Sequence, residues 1–306
     1  MWIKLLLFLS TMPLLAQPTA SIVGMVRDSS DAVVPNAKVT VRNTKTSLTI
    51  ERESSADGTF SVLYLPVGSY AMEVQRPGFQ RYVREGITLA VNDRITLDVT
   101  LQVGATTESV TVTGSAPLLE TQTGTLRGVV DQKRIVNLPL NGRNMTQLVS
   151  LQAGAIQTAD NSAGGEGIAF AVNGSRANGV YFLLDGGYNT STYRNWSGTF
   201  PNPDAVQEFS VQRSNFSAEY ANATGAVINV VTKAGTNEFH GSAFEFVRNA
   251  ALNGRNFFAP RRDTLKRNQF GGVIGGPIRK DKLFFLYSYQ ETRLRSDPQL
   301  TPILVT

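Results

Sequence analysis

The sequence predicts a mainly β chain in three parts: an N-terminal β-sandwich, a small α+β domain, and the opening strands of an incomplete β-barrel. Three observations carry this. Short alternating apolar segments, punctuated by Gly and Pro, recur at spacings of roughly 8 to 12 residues across the first hundred positions. One helix-spaced segment followed by several strand-like ones fills the middle of the chain. From Phe239 onward aromatic residues thicken and alternate with polar ones. A composition of 42% hydrophobic and 17% charged residues is globular rather than disordered, and 306 residues allow about two domains.

At the N-terminus, Lys4 precedes an apolar run from Leu5 to Leu15 with cut sites near Ala16 or Ala20, so residues 1–20 read as a secretory signal. The run is too short to cross ~30 Å of hydrocarbon. No later stretch is apolar for long enough to span as a helix, so any membrane role must use strands or a surface. The chain has no cysteine, which excludes a lipidated cysteine anchor, a disulfide framework and a thiolate metal site. Its one histidine, His240, leaves no pairing for zinc or triad chemistry. No catalytic residue, metal site or cofactor is therefore assigned, and the chain is read as not an enzyme.

Residues 21–102 form the expected sandwich. Its strands are SIVGMVRD, AKVTVRNT, TFSVLYL after the turn at Asp57-Gly58, SYAMEVQRPGF after Val67-Gly68, and RITLDVTLQ. Spacing by two places Val39 and Val41, Phe60, Val62 and Tyr64, Tyr70, Met72 and Val74, and Ile95, Leu97 and Val99 in its core. Asp28 and Asp31 share one loop, but two acids fall short of the roughly six oxygens calcium needs.

Residues 103–125 change character, rich in Gly, Ala, Thr and Ser without an aromatic residue, and read as a linker with one short strand. Residues 126–235 form the α+β domain. Gln132 to Gly154 has the spacing of a short helix, with Asn141 or Asn144 as cap, Met145, Leu148 and Leu151 on one side, and Gly154 as stop. Strands are expected over Ile168–Ser175, Gly179–Asp185, Ala205–Arg213 and Gly225–Lys233. Of the acids here, Asp185 reads as a turn cap, and Glu208 and Glu219 as surface residues rather than an acid/base pair.

Residues 236–306 contain a hairpin about the Arg279–Lys282 turn. Phe285, Tyr287 and Tyr289 alternate with Leu286, Ser288 and Gln290, which suits one lipid-facing and one wetter face of a transmembrane β-barrel. Gly271-Gly272 and Gly275-Gly276 lack the phosphate-loop pattern and mark close packing or curvature. This segment holds 11 Lys or Arg against 6 Asp or Glu, which is the whole formal charge of +5. No nucleic-acid module accompanies it, so nucleic acid is not expected as a partner. A closed barrel of about 22 strands needs on the order of 220 residues in strands. Because 71 follow Gly235, the chain is expected to be a fragment or a truncated reading frame.

Several motifs resemble known families. GMVRDSSDAVVPNAKVTV (Gly24–Val41) and the D-G-x-[FY]…L-P-x-G-x-Y pattern from Asp57 to Tyr70 resemble the carboxypeptidase regulatory-like domain, which implies a transthyretin-like or carbohydrate-binding-like sandwich without catalysis of its own. GAVINVVTK (Gly225–Lys233), NLPLNGRN, and Arg176 followed by Leu184-Asp185-Gly186 resemble the plug domain of TonB-dependent outer-membrane receptors. Asn173-Gly174 stands where that family has Arg-Gly. A regulatory-like sandwich ahead of a plug is similar to the Oar-like receptors. The resemblance implies a plug closing a barrel in the outer membrane of a Gram-negative-type bacterium, with the sandwich in the periplasm and energy drawn from a periplasmic TonB-type partner.

ESVTVTG resembles a TonB box, the extended segment that pairs with that partner. Glu108, Ser109, Val110, Thr111, Val112 and Thr113 are its candidate partner-binding residues. A last sandwich strand or plain linker is the competing reading of the same residues. Tyr188, Tyr193, Trp196 and Phe200 cluster in a polar loop and are candidate contacts for an extracellular ligand, whether glycan, peptide or chelate. The alternative function is a secreted or surface carbohydrate- or peptide-binding or adhesion protein without transport.

Overall fold

The computed structural model describes residues 19–105, 109–113, 124–160, 168–191, 196–220, 223–255, 257, 262 and 264–296. The predicted signal run lies outside them. The first strand begins at Thr19, so a cut after Ala16 would leave it whole, whereas a cut after Ala20 would remove buried Ala20.

The N-terminal unit is a two-sheet sandwich. One sheet joins β1 (Thr19–Asp28), β4 (Thr59–Pro66), β7 (Arg94–Thr96) and β8 (Val99–Leu101); β1 lies antiparallel to β4 and parallel to β7 and β8. The other has the order β3-β2-β5-β6-β9, from β2 (Lys38–Asn43), β3 (Thr49–Glu53), β5 (Gly68–Gln75), β6 (Arg81–Leu89) and β9 (Ser109–Thr113). The predicted period-two residues Val39, Val41, Phe60, Val62, Tyr70, Met72, Val74, Ile95, Leu97 and Val99 are all buried between the sheets.

Tyr64 is the exception, at 75% exposure. Opposite Ala20 and Ile22 of β1, the β4 partners are Leu65 and Val62, so β4 carries an extra residue there. Tyr64 absorbs it with φ of 61°, and Leu65 takes the core position instead. The sandwich motifs are structural. A side chain at Gly24 would meet the Leu97 carbonyl oxygen at 1.9 Å, so only glycine lets β1 lie this close to the β7–β8 segment. The Tyr70 hydroxyl donates to the Pro66 carbonyl at 2.6 Å, closing the L-P-x-G-x-Y corner. The Asp28 carboxylate accepts from Ser30 and Ala32 of its own turn, and Asp31 pairs with Arg27.

The central domain carries a five-stranded sheet ordered β10-β15-β16-β13-β14, built from β10 (Leu126–Asp131), β13 (Val180–Leu184), β14 (Gly187–Tyr188), β15 (Val206–Ser214) and β16 (Ala226–Thr232). A separate hairpin pairs β11 (Ala155–Asp160) with β12 (Ile168–Val172). All four predicted strands are present; β10, β11 and the two-residue β14 were not anticipated.

The helical segment is divided. An α-helix spans Gln132–Asn137, capped by the Asp131 carboxylate on Arg134 N–H, and ends two residues before Pro139, with Leu138 already extended. Met145–Leu151 then forms a 3₁₀ turn capped by Asn144. Met145 and Leu148 are buried as expected, but Leu151 is exposed, because the turn closes at Gln152 and the chain leaves extended. One face of the sheet packs Val130, Phe182, Phe209, Val211, Ile228 and Val230 against these turns.

The C-terminal sheet has three antiparallel strands, β17 (His240–Asn249), β18 (Lys266–Arg279) and β19 (Leu283–Arg295), with the predicted turn between the last two. It does not close into a barrel. Register puts Ser242, Phe244 and Phe246 on one face with Gln269, Val273, Ser288 and Gln290, and puts Phe285, Tyr287 and Tyr289 on the other. A side chain at Gly271 would stand 2.1 Å from the Tyr289 carbonyl oxygen, confirming close packing there. Among the described residues no helix is long and apolar enough to cross a membrane, which says nothing of strands.

Candidate functional site

Two interfaces meet at the central domain. On the side of the C-terminal sheet, Asn141–Arg143, placed by the turn after Pro139, reaches β17 and β18. The Arg143 guanidinium pairs with Asp204, both side chains being more than 90% buried, and its carbon lies 4.2 Å and 4.4 Å from the ring centroids of Phe244 and Phe246. Burial lowers the guanidinium pKa and Asp204 opposes that shift. Asp204 also accepts from the Ser242 hydroxyl at 3.2 Å. Around this clasp Gln269 donates to the Gly142 carbonyl at 3.1 Å, Arg248 to the Asn141 side chain at 3.0 Å, and Asn202 to the Ser288 hydroxyl at 2.6 Å. The face carrying Ser242, Phe244, Phe246, Gln269 and Ser288 is therefore turned to the central domain, and the face carrying Phe285, Tyr287 and Tyr289 looks away.

On the other side, the turn Ala90–Asp93 of the sandwich lies on β10 and β15. Arg127 donates to the Val91 carbonyl and pairs with Asp93, while Glu208 accepts from Val91 N–H. Glu208 is 6% exposed rather than a surface residue, because Val91 covers it. Burial is the main cause that raises its pKa to about 7; Asp93 adds to the shift, and Arg127 and the Val91 N–H oppose it. Beside this contact a cleft of about 370 Å³ opens between Leu63, Tyr64 and Arg94 of the sandwich and Gln212, Glu219 and Tyr220 of the central domain. The sandwich also touches the C-terminal sheet: Asn237 N–H donates to the Lys45 carbonyl at 3.0 Å, and its amide to Asp281 in the β18–β19 turn at 2.7 Å.

Asp185 acts as expected of a turn cap, and does more. With φ of 50° it accepts from Thr232 N–H at 2.7 Å and from the Thr232 hydroxyl at 2.8 Å. It thereby ties the L-D-G turn to the T-K end of the GAVINVVTK strand. Glu219 is exposed.

The candidate ligand contacts do not converge. Tyr188 is 49% exposed and packs on Tyr181, with ring centroids 4.9 Å apart. Phe200 lies against the domain core, 6.4 Å from Phe182. Tyr181 and Phe182 are neighbours on β13, so the two rings sit on opposite faces of the sheet. Trp196 is half-buried and its carbonyl accepts from Ser191 N–H at 2.8 Å. Tyr193 lies outside the described residues, as does Glu108. Ser109–Thr113 form β9, paired in parallel with β6. Arg143, Asp204 and Arg127 were not singled out from the sequence. Arg143 stands inside the NLPLNGRN motif, and that was its one signal.

Comparison with known proteins matches this order. Residues 21–102 match the Carboxypeptidase regulatory-like domain, residues 105–227 the TonB-dependent Receptor Plug Domain, and residues 231–306 the Outer membrane beta barrel domain. The chain is 30% identical over 303 residues to the TonB-dependent transporter Oar of Myxococcus xanthus; the match covers 90% of this chain and 27% of that protein. Among solved structures it is similar to the siderophore receptor PirA from Acinetobacter baumannii, with 23% identity, a TM-score of 0.44, and coverage of 57% of this chain and 26% of that one. PirA from Pseudomonas aeruginosa gives 18% identity and a TM-score of 0.40, covering 56% and 29%. The three domain families follow one another along the chain in the Oar-like order of a regulatory-like sandwich, a TonB-dependent receptor plug and an outer-membrane barrel segment, and the chain spans about a quarter of the length of Oar.

Proposed function

We propose that this chain is the front of a transporter that carries an unidentified ligand across the outer membrane and is energised by a periplasmic TonB-type partner. The observation that carries this reading is the two-faced C-terminal sheet. One face, with Ser242, Phe244, Phe246 and Ser288, holds the plug at Arg143, Asp204 and Asn202, and the face with Phe285, Tyr287 and Tyr289 is turned away from it, as lipid contact needs. That is what a barrel wall around a plug requires.

The sandwich belongs on the periplasmic side in this reading. Its Ser47 hydrogen-bonds Asp281 of the four-residue Arg279–Lys282 turn, and short turns face the periplasm in such barrels. Glu108 and β9 form the docking strip for the partner, whose sheet would accept an extended, β-branched segment through backbone hydrogen bonds. Tyr188, Tyr193 and Trp196 remain the proposed ligand contacts, and Phe200 supports their loop from the core side. The reading is tested by binding of the C-terminal domain of the TonB protein to the full chain in detergent. Deleting residues 108–114 should weaken binding at least about tenfold; unchanged affinity would remove the strip from the partner interface.

A further inference from the structure

Strand β9 belongs to one domain by sequence and to another by pairing. It lies inside the 105–227 plug match, yet its hydrogen-bonded neighbour is β6 of the sandwich, in register from Arg81↔Ser109 to Glu85↔Thr113. It is the terminal strand of that sheet. The other strands of the sheet are anchored by side chains: Val39 and Val41 of β2, Tyr70, Met72 and Val74 of β5, Ile87 and Leu89 of β6, and the partly buried Ile50 of β3. None of the described side chains of β9 lies in that core: Val110 is half-buried, and Thr111 and Val112 are exposed. Its attachment is a backbone ladder, and backbone bonds exchange for water or for another strand at little net cost, whereas exposing a core does not.

We infer that β9 is a detachable strand with two alternative partners: at rest it is held by β6, and the periplasmic transducer takes it by strand exchange, so that the sandwich competes with the transducer for Val110–Val112. This rests on the reading of β9 as the docking strip. Exchange fits better than addition outside β9. A strand added to the outer edge would leave β9 clamped to β6, and tension would pass into a sandwich that is itself fastened to the plug through Arg127 and Glu208. After exchange, tension runs along the chain from β9 to β10, directly into the plug sheet.

The chain has no cysteine, so a disulfide between register partners, Val83→Cys with Thr111→Cys, would be its only one. Binding of the TonB C-terminal domain to the full-length double variant in detergent should fall at least about tenfold on oxidation and recover with reductant. Equal affinity in both states would overturn the exchange. Hydrogen exchange on the unmodified chain gives a readout independent of the transducer: β9 amides should exchange at least about a hundredfold faster than those of β5. Equal protection would overturn detachability whatever the transducer does. If β9 exchanges fast but deletion of residues 108–114 leaves binding unchanged, the docking reading fails and the competition falls with it. If binding needs the strip but ignores the lock, the exchange alone is wrong.

Discussion

The plug is held on two sides by an arginine and a carboxylate, and the two clasps are built differently. Arg143 and Asp204 both belong to the plug, so the charge pair is complete before the barrel wall arrives; the wall contributes aromatic rings and a hydroxyl. Arg127 and Asp93 face each other across a domain boundary, and beside them Glu208 is held by a backbone N–H of the sandwich. Separating the barrel wall from the plug orphans no charge. Separating the sandwich from the plug frees an arginine, an aspartate and a carboxyl group that ionises once in water. The second contact alone holds a carboxyl group, that of Glu208, whose burial raises its pKa to about 7.

Five substitutions would break or sharpen this contrast. Arg143→Ala leaves the Asp204 carboxylate buried without its partner, which should cost about 3–5 kcal/mol of plug stability in chemical denaturation of the full chain. Arg143→Lys keeps the charge but loses the planar contact with both rings, and should fall between. A loss below about 1 kcal/mol for the alanine variant would mean the pair is solvated.

The next effect is pH-dependent. The carboxyl group of Glu208 has its pKa raised from 4.5 to about 7 in the docked state, so its contribution is full below about pH 4.5 and is lost as pH rises through 7. Sandwich docking, followed by limited proteolysis or by fluorescence between labelled domains, should weaken by about 3 kcal/mol across that window, and Glu208→Gln should flatten the profile. An opposite slope would mean that the Arg127 pairing outweighs burial. Asp185→Ala removes two hydrogen bonds to Thr232 and should cost about 1–3 kcal/mol. Smallest, Tyr64→Asn should stabilise the sandwich by about 1 kcal/mol, since asparagine adopts the left-handed conformation with less strain. A measured loss would show that the Tyr64 ring contributes at the cleft.

Much of the architecture was legible because it follows from short-range rules. Period-two alternation placed ten of the sandwich core residues, and it failed at Tyr64 because a bulge shifts the phase by one without leaving a mark in the pattern. Asn144 and Asp185 could be read as caps, since a carboxylate or amide beside a turn bonds its own neighbourhood. The hairpin about Arg279–Lys282 and the two-faced β19 followed in the same way. Strand β10 was missed because only pairing with β15 makes a strand of those residues.

By itself, then, the sequence determined the three domains' kind and order and the two faces of the last hairpin, both of which depend on residue type and near-neighbour spacing. Only the tertiary structure decided that Glu208 is buried, that Arg143 is clasped between Phe244 and Phe246, and that Val110 pairs with Tyr82. Each of these depends on partners 28 to 117 residues apart, and long-range contact is set by how whole sheets dock, which no local pattern encodes.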